Sequence, residues 1–587
     1  YRQPIAFDQI LGQVTWSVDR EGNQVLVNSG LLQGQGEVGE VNGYFLLDAP
    51  FIAKSRPSEL TLQLGLQGSD VTQHKALVPY LVPESLLTWL DQALVSGDVP
   101  QASFLLRGYF GLESPVARST QLGINAEASE LKFDPRWPAL SDFSGFLNLD
   151  DLLFQGFVDS GSLLGSSVAD VGVELQGHSP VGEGSLLSID GHMQGLATDG
   201  LSLLVDTPLR DLLGGTFDTW QLEGGMTADI ELSIPLLAGQ PGLSQDVRVQ
   251  LDSAQLQMND LNLILEDISG ALRYSSQGGL ESNGLSAQLW QQSLNATISS
   301  EPVAQRFRTL IDFQGPMAMP SLAAWLRRPE VHFAEGQAQV SGRITVPAGA
   351  EESSEQLSLT LKSDLKGVAV NLPSPYGKAA HTTAPFWMDI SVQSDKQFYQ
   401  LDYRNLVSVG LGFSSAQMQQ GLVRLSAQDS AVSAVAPEDL PTSGLLIEGR
   451  VSNVDGREWL DVFDRYGRYT ALYPPAGEDV AEPSPAEVKL ALNLDELRWD
   501  DFSFAQLNVV GQAIPHGWKL MLEHPILAGE VFWFDDKPLR LDLDYLRWPL
   551  SSSETVKTSE LQGEPNFVDP LAGIDPRDLM AMDFTAR

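Results

Sequence analysis

No cysteine occurs among the 587 residues. Disulfides, thiolate zinc sites, iron–sulfur clusters and thiol catalysis are therefore excluded together. Basic residues are scarce, 36 against 76 acidic ones, and a formal charge of −40 with no local basic cluster repels nucleic-acid phosphate. No run of about 18 apolar residues is present, so no segment reads as a membrane-spanning helix. Histidine is rare, with copies at 74, 178, 192, 332, 381, 516 and 524. Only His516 and His524 fall within ten residues of each other; no metal-ligand spacing results, and isolated surface or loop histidines are expected. Tyr1 opens inside strand-like sequence with neither an initiating Met nor a signal peptide, so the chain reads as a fragment.

What is present is the composition of a folded protein, 43% apolar and 19% charged with 53 Gly and 34 Pro. The length suggests about four units at ~150 residues each, unless the chain is a repeat array. The dominant periodicity is two. Leu60, Leu62, Leu64 and Leu66 alternate with polar or small residues, as do Ile230, Leu232 and Ile234; Val247, Val249 and Leu251; Leu357, Leu359 and Leu361; and Val488, Leu490, Leu492 and Leu494. Each run reads as a half-buried strand with one apolar face, of the kind found in antiparallel sheets. Asp190-Gly191, Asp199-Gly200 and Gly278-Gly279 read as turns between them.

Helical signals are few. One helix is predicted from Pro83 to Leu94 and one from Thr207-Pro208 to Gly214-Gly215. A third runs from Pro320 through Trp325 and Leu326 to a stop at Pro329. The fourth is capped by Asp455 with Glu458 three residues on, is expected to bury Trp459, Leu460 and Phe463, and ends at Gly467. Their starts at 83, 208, 320 and 456 lie 125, 112 and 136 residues apart. Similar strands follow the first three: Ala102–Gly108, Gln221–Gly225 and Gln337–Gly342. Ser144-Gly145 and Ser269-Gly270 each lie 61 residues after Pro83 and Pro208, and a shared offset indicates a repeat. The predicted segments are 1–82, 83–206, 207–319, 320–454 and 455–587.

Four short helices cannot cover the apolar faces of ~25–30 strands of typical ~5–6 residue length. Either two sheets close on each other, as in a structural or adhesive solenoid-like scaffold with a dry core, or one sheet curls into a trough that holds an apolar ligand. Solenoid periods are usually about 20–30 residues, and the unit here exceeds 110.

Other motifs carry little chemistry. Gly34-Gln-Gly36-Glu-Val-Gly39 has the letters of a dinucleotide fingerprint, yet no amphipathic helix follows and Glu37 and Glu40 would face the phosphate; a turn between strands is expected. Asp150-Asp151, Asp500-Asp501 and Asp535-Asp536 read as solvated turns, because adjacent strand residues point to opposite faces. Trp137, Trp220, Trp290, Trp387, Trp499, Trp533 and Trp548 suit packing or a rim beside an apolar ligand at least as well as a sugar-stacking surface. Residues 474–485 and 551–565 read as exposed loops. No catalytic, metal or cofactor-binding residues are assigned, and an enzyme is not expected.

The segment Val78–Gly108, with Val-Pro-Tyr-Leu-Val-Pro-Glu-Ser-Leu-Leu-Thr-Trp-Leu near its start, and Leu131-Lys-Phe-Asp-Pro-Arg-Trp-Pro-Ala-Leu140 resemble the YhdP-type branch of the AsmA-like proteins of Gram-negative envelopes. Asn371-Leu-Pro-Ser-Pro-Tyr-Gly-Lys378 and Leu497-Arg-Trp-Asp-Asp-Phe-Ser-Phe504 extend the likeness over most of the chain. The resemblance implies a bridge-like protein of the periplasm, built of repeating β-groove units and moving phospholipid towards the outer membrane. It further implies attachment to the inner membrane through an anchor absent from this chain, with outer-membrane or periplasmic proteins as candidate partners at the far end. In such bacteria the glycosylation sequon Asn295-Ala-Thr297 is idle. The fold expected is mainly β: an elongated, twisted, mostly antiparallel sheet curled into a continuous hydrophobic groove with a few short helices. Which side chains face lipid follows from the alternation alone. The predicted lining is Leu60, Leu62, Leu64, Leu66, Ile230, Leu232, Ile234, Val247, Val249, Leu251, Leu357, Leu359, Leu361, Leu490, Leu492 and Leu494, with the phase open to inversion wherever a bulge intervenes.

Overall fold

A computed structural model of the chain describes residues 5–73, 88, 91–110, 118–132, 134–151, 153–176, 186–207, 210, 219–235, 244–259, 262–303, 306–348, 356–393, 396–414, 417–427, 432–473, 488–499, 502–514, 517–534, 538–547 and 582–586. Strands dominate, and helices are few and short. Two compact units result: Tyr1–Gln291 with Asn295–Thr309 and Ala348–Ser353, and Gln292–Leu294 with Leu310–Pro347 and Ser354–Arg587.

In the first unit every strand from Gly39–Ala49 to Gly279–Leu289 pairs antiparallel with the next in sequence. Two shorter strands, Gln24–Asn28 and Leu32–Gly36, lie end to end along Gly39–Ala49. Gly36 pairs with Gly39 across a two-residue turn, so the Gly-rich stretch is a hairpin. The sheet is open, since its outermost strands do not pair with each other among the described residues.

Most pairings between Leu94–Phe110 and Gly279–Leu289 are broken by a register shift. The extra residues take the left-handed conformation, as at Ala128, Asp142, Asp170, Ser253 and Asp267. A bulge bends its strand and sharpens the local twist, so bulges in neighbouring strands curl the sheet. The two Ser-Gly pairs sit opposite such breaks: Gly145 pairs with Val158 and Gly270 with Leu251. A Cβ on Gly145 would lie 2.1 Å from the Phe157 carbonyl. Their common offset therefore marks one structural position in two places.

Helix α1 spans Ala197–Val205 and was not expected. The helix predicted from 207 falls largely outside the described residues, with Arg210 alone seen as helical; of the one predicted from 83 to 94, Thr88 and Asp91–Ala93 are helical, Leu94 already opens a strand, and the rest lies outside. Asp199-Gly200 is the first turn of α1, not a loop. The Asp199 carboxylate accepts hydrogen bonds from Gly165 N at 3.0 Å and Ser166 Oγ at 2.6 Å, tying the helix to a hairpin. Asp190-Gly191 is likewise mid-strand, within Leu186–Leu196, whereas Gly278 is in a turn as expected. Six strands in chain order separate the helical turn at 91–93 from α1. An even number of antiparallel strands returns the chain to the same side of the sheet, which is why both helices follow strands ending there.

In the second unit α2, Met319–Leu326, follows the strand Arg306–Ala318, carries Pro320 in its first turn and leads to the 3-10 turn Pro329–Phe333. Its sheet runs through ten successive pairings, from Ala334–Val346 to Leu527–Phe534. Two of these are parallel, made by Gly444–Asp455 with Gln417–Leu425 and with Val488–Trp499. Parallel neighbours need crossovers. The first passes over the polar face, where Val435 N donates to Ser408 Oγ at 3.0 Å and Gln400 Nε2 to Val435 O at 2.8 Å. The second begins with α3, Gly456–Thr470, whose N-cap Asp455 accepts from Glu458 N at 3.1 Å as its spacing predicts. The helix continues three residues past Gly467. Phe463, expected to be buried, is 51% exposed, and Val462 is buried in its place. His524 lies in a loop between strands, as expected, but is buried: Nε2 donates to Ala505 O at 2.7 Å and Nδ1 accepts from Ile526 N at 3.1 Å.

Candidate functional site

Directly paired residues in a sheet present their side chains on the same face, so the register alone shows which positions share a surface. In the first unit one lateral row reads Leu64, Phe104, Leu122, Leu149, Phe154, Leu175, Leu187, Ile234. The adjacent row is Leu66, Ala102, Ile124, Leu147, Gly156, Val173, Ile189, Leu232. Leu60 and Leu62 continue the same face on their strand, while Ile230 pairs with Val247 and Ala228 with Val249. All ten of the predicted lining positions in this unit thus share one face.

In the second unit Leu361, Met388, Leu401, Val409, Val423, Ile447, Leu490, Gly511, Leu520 and Val531 form a single row. Ile344, Leu359, Ile390, Tyr399 and Leu411 form a neighbouring one. Leu357, Leu492 and Leu494 follow by alternation on their strands.

One residue off these rows the surface is polar. Arg107 pairs with Glu59 at 3.4 Å, Arg273 with Asp246 at 2.6 Å, Arg343 with Asp312 at 2.7 Å and Lys519 with Glu530 at 2.7 Å. Arg273, with help from Arg248, holds the Asp246 carboxyl below its ordinary range. Solvated pairs of this kind contribute at most about 1 kcal/mol each, so they mark the wet face more than they stabilise it.

The apolar face is not uniformly exposed. Beneath α1, Met193, Met226, Leu251, Ala254 and Ile268 form a dry cluster, and in the second unit Val451, Leu494, Leu507 and Val509 do the same beneath Tyr376 and Trp459 of α3. Of the sixteen predicted positions Leu251, Leu361 and Leu494 are buried, at 5%, 4% and 7% exposure; the others are half-buried. Sequence reasoning missed Phe104, Leu147, Phe154, Leu187 and Met388 in these rows. Apolar neighbours on the wet face, such as Phe146 beside Leu147, blur their alternation. Phe146 packs on Phe157 there at 5.9 Å between ring centroids.

Among the described residues no group of three or more His, Asp and Glu could hold a metal ion, and no helix is long and apolar enough to cross a membrane. The groups whose protonation burial most displaces are tyrosines. Tyr376 is 3% exposed with a hydroxyl lacking any hydrogen-bond partner among the described residues, and burial pushes its pKa up to about 12. Its folded pKa lies above the unfolded value of about 10, so this contribution is fully present below pH ~10 and is lost as pH rises towards 12. Tyr376→Phe should leave stability near pH 7 unchanged or slightly raised and remove about 2 kcal/mol of alkaline destabilisation. Urea titrations near pH 8 and near pH 11.5 test this; an unaltered alkaline loss in the variant refutes it.

A family model described as YhdP protein matches residues 1–587. The intermembrane phospholipid transporter YhdP of Escherichia coli (strain K12) is 23% identical over 508 residues, which cover 84% of this chain and 38% of that protein. The chain therefore spans well under half the length of this curated relative. No solved structure matches it.

Proposed function

The chain belongs to the YhdP family, and from that membership we propose that it is a segment of a periplasmic bridge carrying phospholipid acyl chains between inner and outer membrane. The observation that carries this reading is the set of unbroken apolar rows on one face of an open sheet whose other face is laced with ion pairs. A face of this extent, left half-exposed in water, calls for an apolar occupant. Acyl chains supply one: each methylene withdrawn from water contributes about 0.8 kcal/mol, and the phospholipid head group stays at the wet rim. Because neighbouring rows are chemically alike, a chain shifts along them with little change in free energy, and no side chain need do chemistry. In this reading the repeat is a helix followed by six strands: the helix predicted from 83 with the strands up to Leu196, then α1 with the strands from Trp220 to Ala318, so that the boundary between these copies falls at α1 and not at 207. The bridge lies in the periplasm in this reading, tethered to the inner membrane by a part of the protein outside this sequence. Such transport supports the outer-membrane permeability barrier. A closed-core scaffold does not account for the open sheets.

The test uses a photo-reactive amino acid at Leu64, Leu232, Leu359 and Leu490, and at the one-residue-displaced Gln63, Glu231, Thr360 and Lys489. Phospholipid adducts are expected at the first four and not at the second. Equal labelling of both sets rejects the assignment.

A further inference from the structure

Helix α3 lies inside the curl of the second sheet and touches both of its sides. On one flank Tyr466 Oη donates to Glu330 Oε1 at 3.1 Å and Arg465 Nη2 to Asn371 O at 3.1 Å, while Tyr469 packs edge-on to Phe333 at 5.2 Å. Just past the helix, Tyr473 bonds His332 Nε2 at 2.7 Å and Ala323 O at 3.1 Å. On the other flank the contact is aromatic: Phe463 meets Trp533 edge to face at 5.9 Å. Glu330, His332 and Phe333 lead into Ala334–Val346, and Trp533 belongs to Leu527–Phe534, ten strand pairings away. At ~4.8 Å per strand that is about 48 Å of sheet, whereas a helix is only about 10–12 Å across with its side chains. The sheet must wrap the helix, and α3 fills part of the trough's cross-section.

Hydrocarbon cannot run beneath it, because the floor there is already packed: Val451, Leu494, Leu507 and Val509 are 1–8% exposed. Among the described residues the Trp533 side is the more open one. There Phe463 is 51% exposed although it projects from a helix seated on an apolar face, and Trp533 pairs with Trp518 so that both indoles lie on that face. Four hydrogen bonds tie the opposite flank down, whereas the contact seen on the Trp533 flank is an aromatic one, which parts without leaving a polar group unpaired.

Resting on the lipid-bridge reading, we propose that Phe463, Trp533 and Trp518 form an acyl-chain site where α3 narrows the trough of the second unit, through which hydrocarbon passes between α3 and the sheet. Rings at such a point offer large apolar area without polar groups that would need desolvation. Phe463 is a positioning and contact residue for the chain, and no chemistry is assigned to it.

The test places a photo-reactive amino acid at Phe463, at Leu359 on the open floor, and at Arg468, exposed on another face of α3. The purified chain is illuminated with vesicles of phosphatidylethanolamine and phosphatidylglycerol. Adducts at Phe463 and Leu359, with none at Arg468, support the site. Adducts at Leu359 with Phe463 no better than Arg468 overturn it and leave the bridge reading standing. Absence at both Leu359 and Phe463 overturns the two together. An independent readout needs no probe at Phe463: vesicles with brominated acyl chains should quench tryptophan emission less in Trp533→Phe than in the unaltered chain, and identical quenching also overturns the site.

Discussion

Leu251→Asp is expected to destabilise the first unit by about 3–5 kcal/mol, whereas Leu232→Asp costs about 1 kcal/mol or less and still abolishes lipid capture. Both residues lie on the same face and belong to adjoining strands. The difference comes from what covers them. Leu251 is packed with Met193, Met226, Ala254 and Ile268 under α1, where a carboxylate finds neither water nor a donor and its desolvation goes uncompensated. Leu232 pairs with Ile189 and Gln245 and is half-buried on a face open to solvent. There the carboxylate stays hydrated, and the water it retains interrupts the hydrocarbon path. Leu359→Asp is expected to behave like Leu232→Asp, being half-buried between Ile344 and Ile390. Denaturant midpoints give the stabilities and mass spectrometry of co-purified lipid gives the capture. Severe unfolding of the Leu232 and Leu359 variants would mean that these positions sit in a closed core. Unchanged stability and unchanged lipid would take them off the path.

Substitution of Gly449 by valine should be as damaging, with a loss above about 3 kcal/mol. Gly449 stands between the two parallel pairings, against Leu425 on one side and Leu492 on the other. Its φ of +131° is strained for any residue with a Cβ, and that atom would lie 2.0 Å from the Leu425 carbonyl oxygen, a backbone atom that cannot swing aside. The strand would have to separate from its neighbour, carrying with it Val451 and the seat of α3. Gly467→Ala provides the opposite sign in the same unit: a Cβ there meets nothing within 4 Å, and an alanine inside a helix gains about 0.5–1 kcal/mol over glycine. A Gly449→Val midpoint near that of the unaltered chain would refute the crowding argument.

The elements legible in the sequence are those whose signal is local. The cap of α3 is a side chain three residues from its donor, and Asp455 with Glu458 announces it. Pro320 in the first turn of α2 does the same. Helix α1 was hidden because Asp199-Gly200 has the letters of a turn, and only the distant hairpin at 163–166 gives Asp199 its helical role. Phe463 has the spacing of a buried helix residue, yet the strands below α3 are already filled by Leu494 and Leu507, leaving the ring half-exposed against Trp533. The crossover that seats Val435 on Ser408 and Gln400 could not be read, since it depends on two strands pairing parallel.

Period-two alternation by itself determined that this protein is a two-faced sheet, apolar on one side and charged on the other, because side chains on a strand must alternate whatever the strand packs against. The missing cysteines, also plain in the sequence, removed thiol chemistry. Only the tertiary structure decided which stretches of the apolar face are dry and which are open. Leu232 and Leu251 carry the same alternation signal. What separates them is whether α1 lies overhead, and that depends on strand register, on bulges that curl the sheet, and on contacts between residues far apart in the chain, none of which a local pattern encodes.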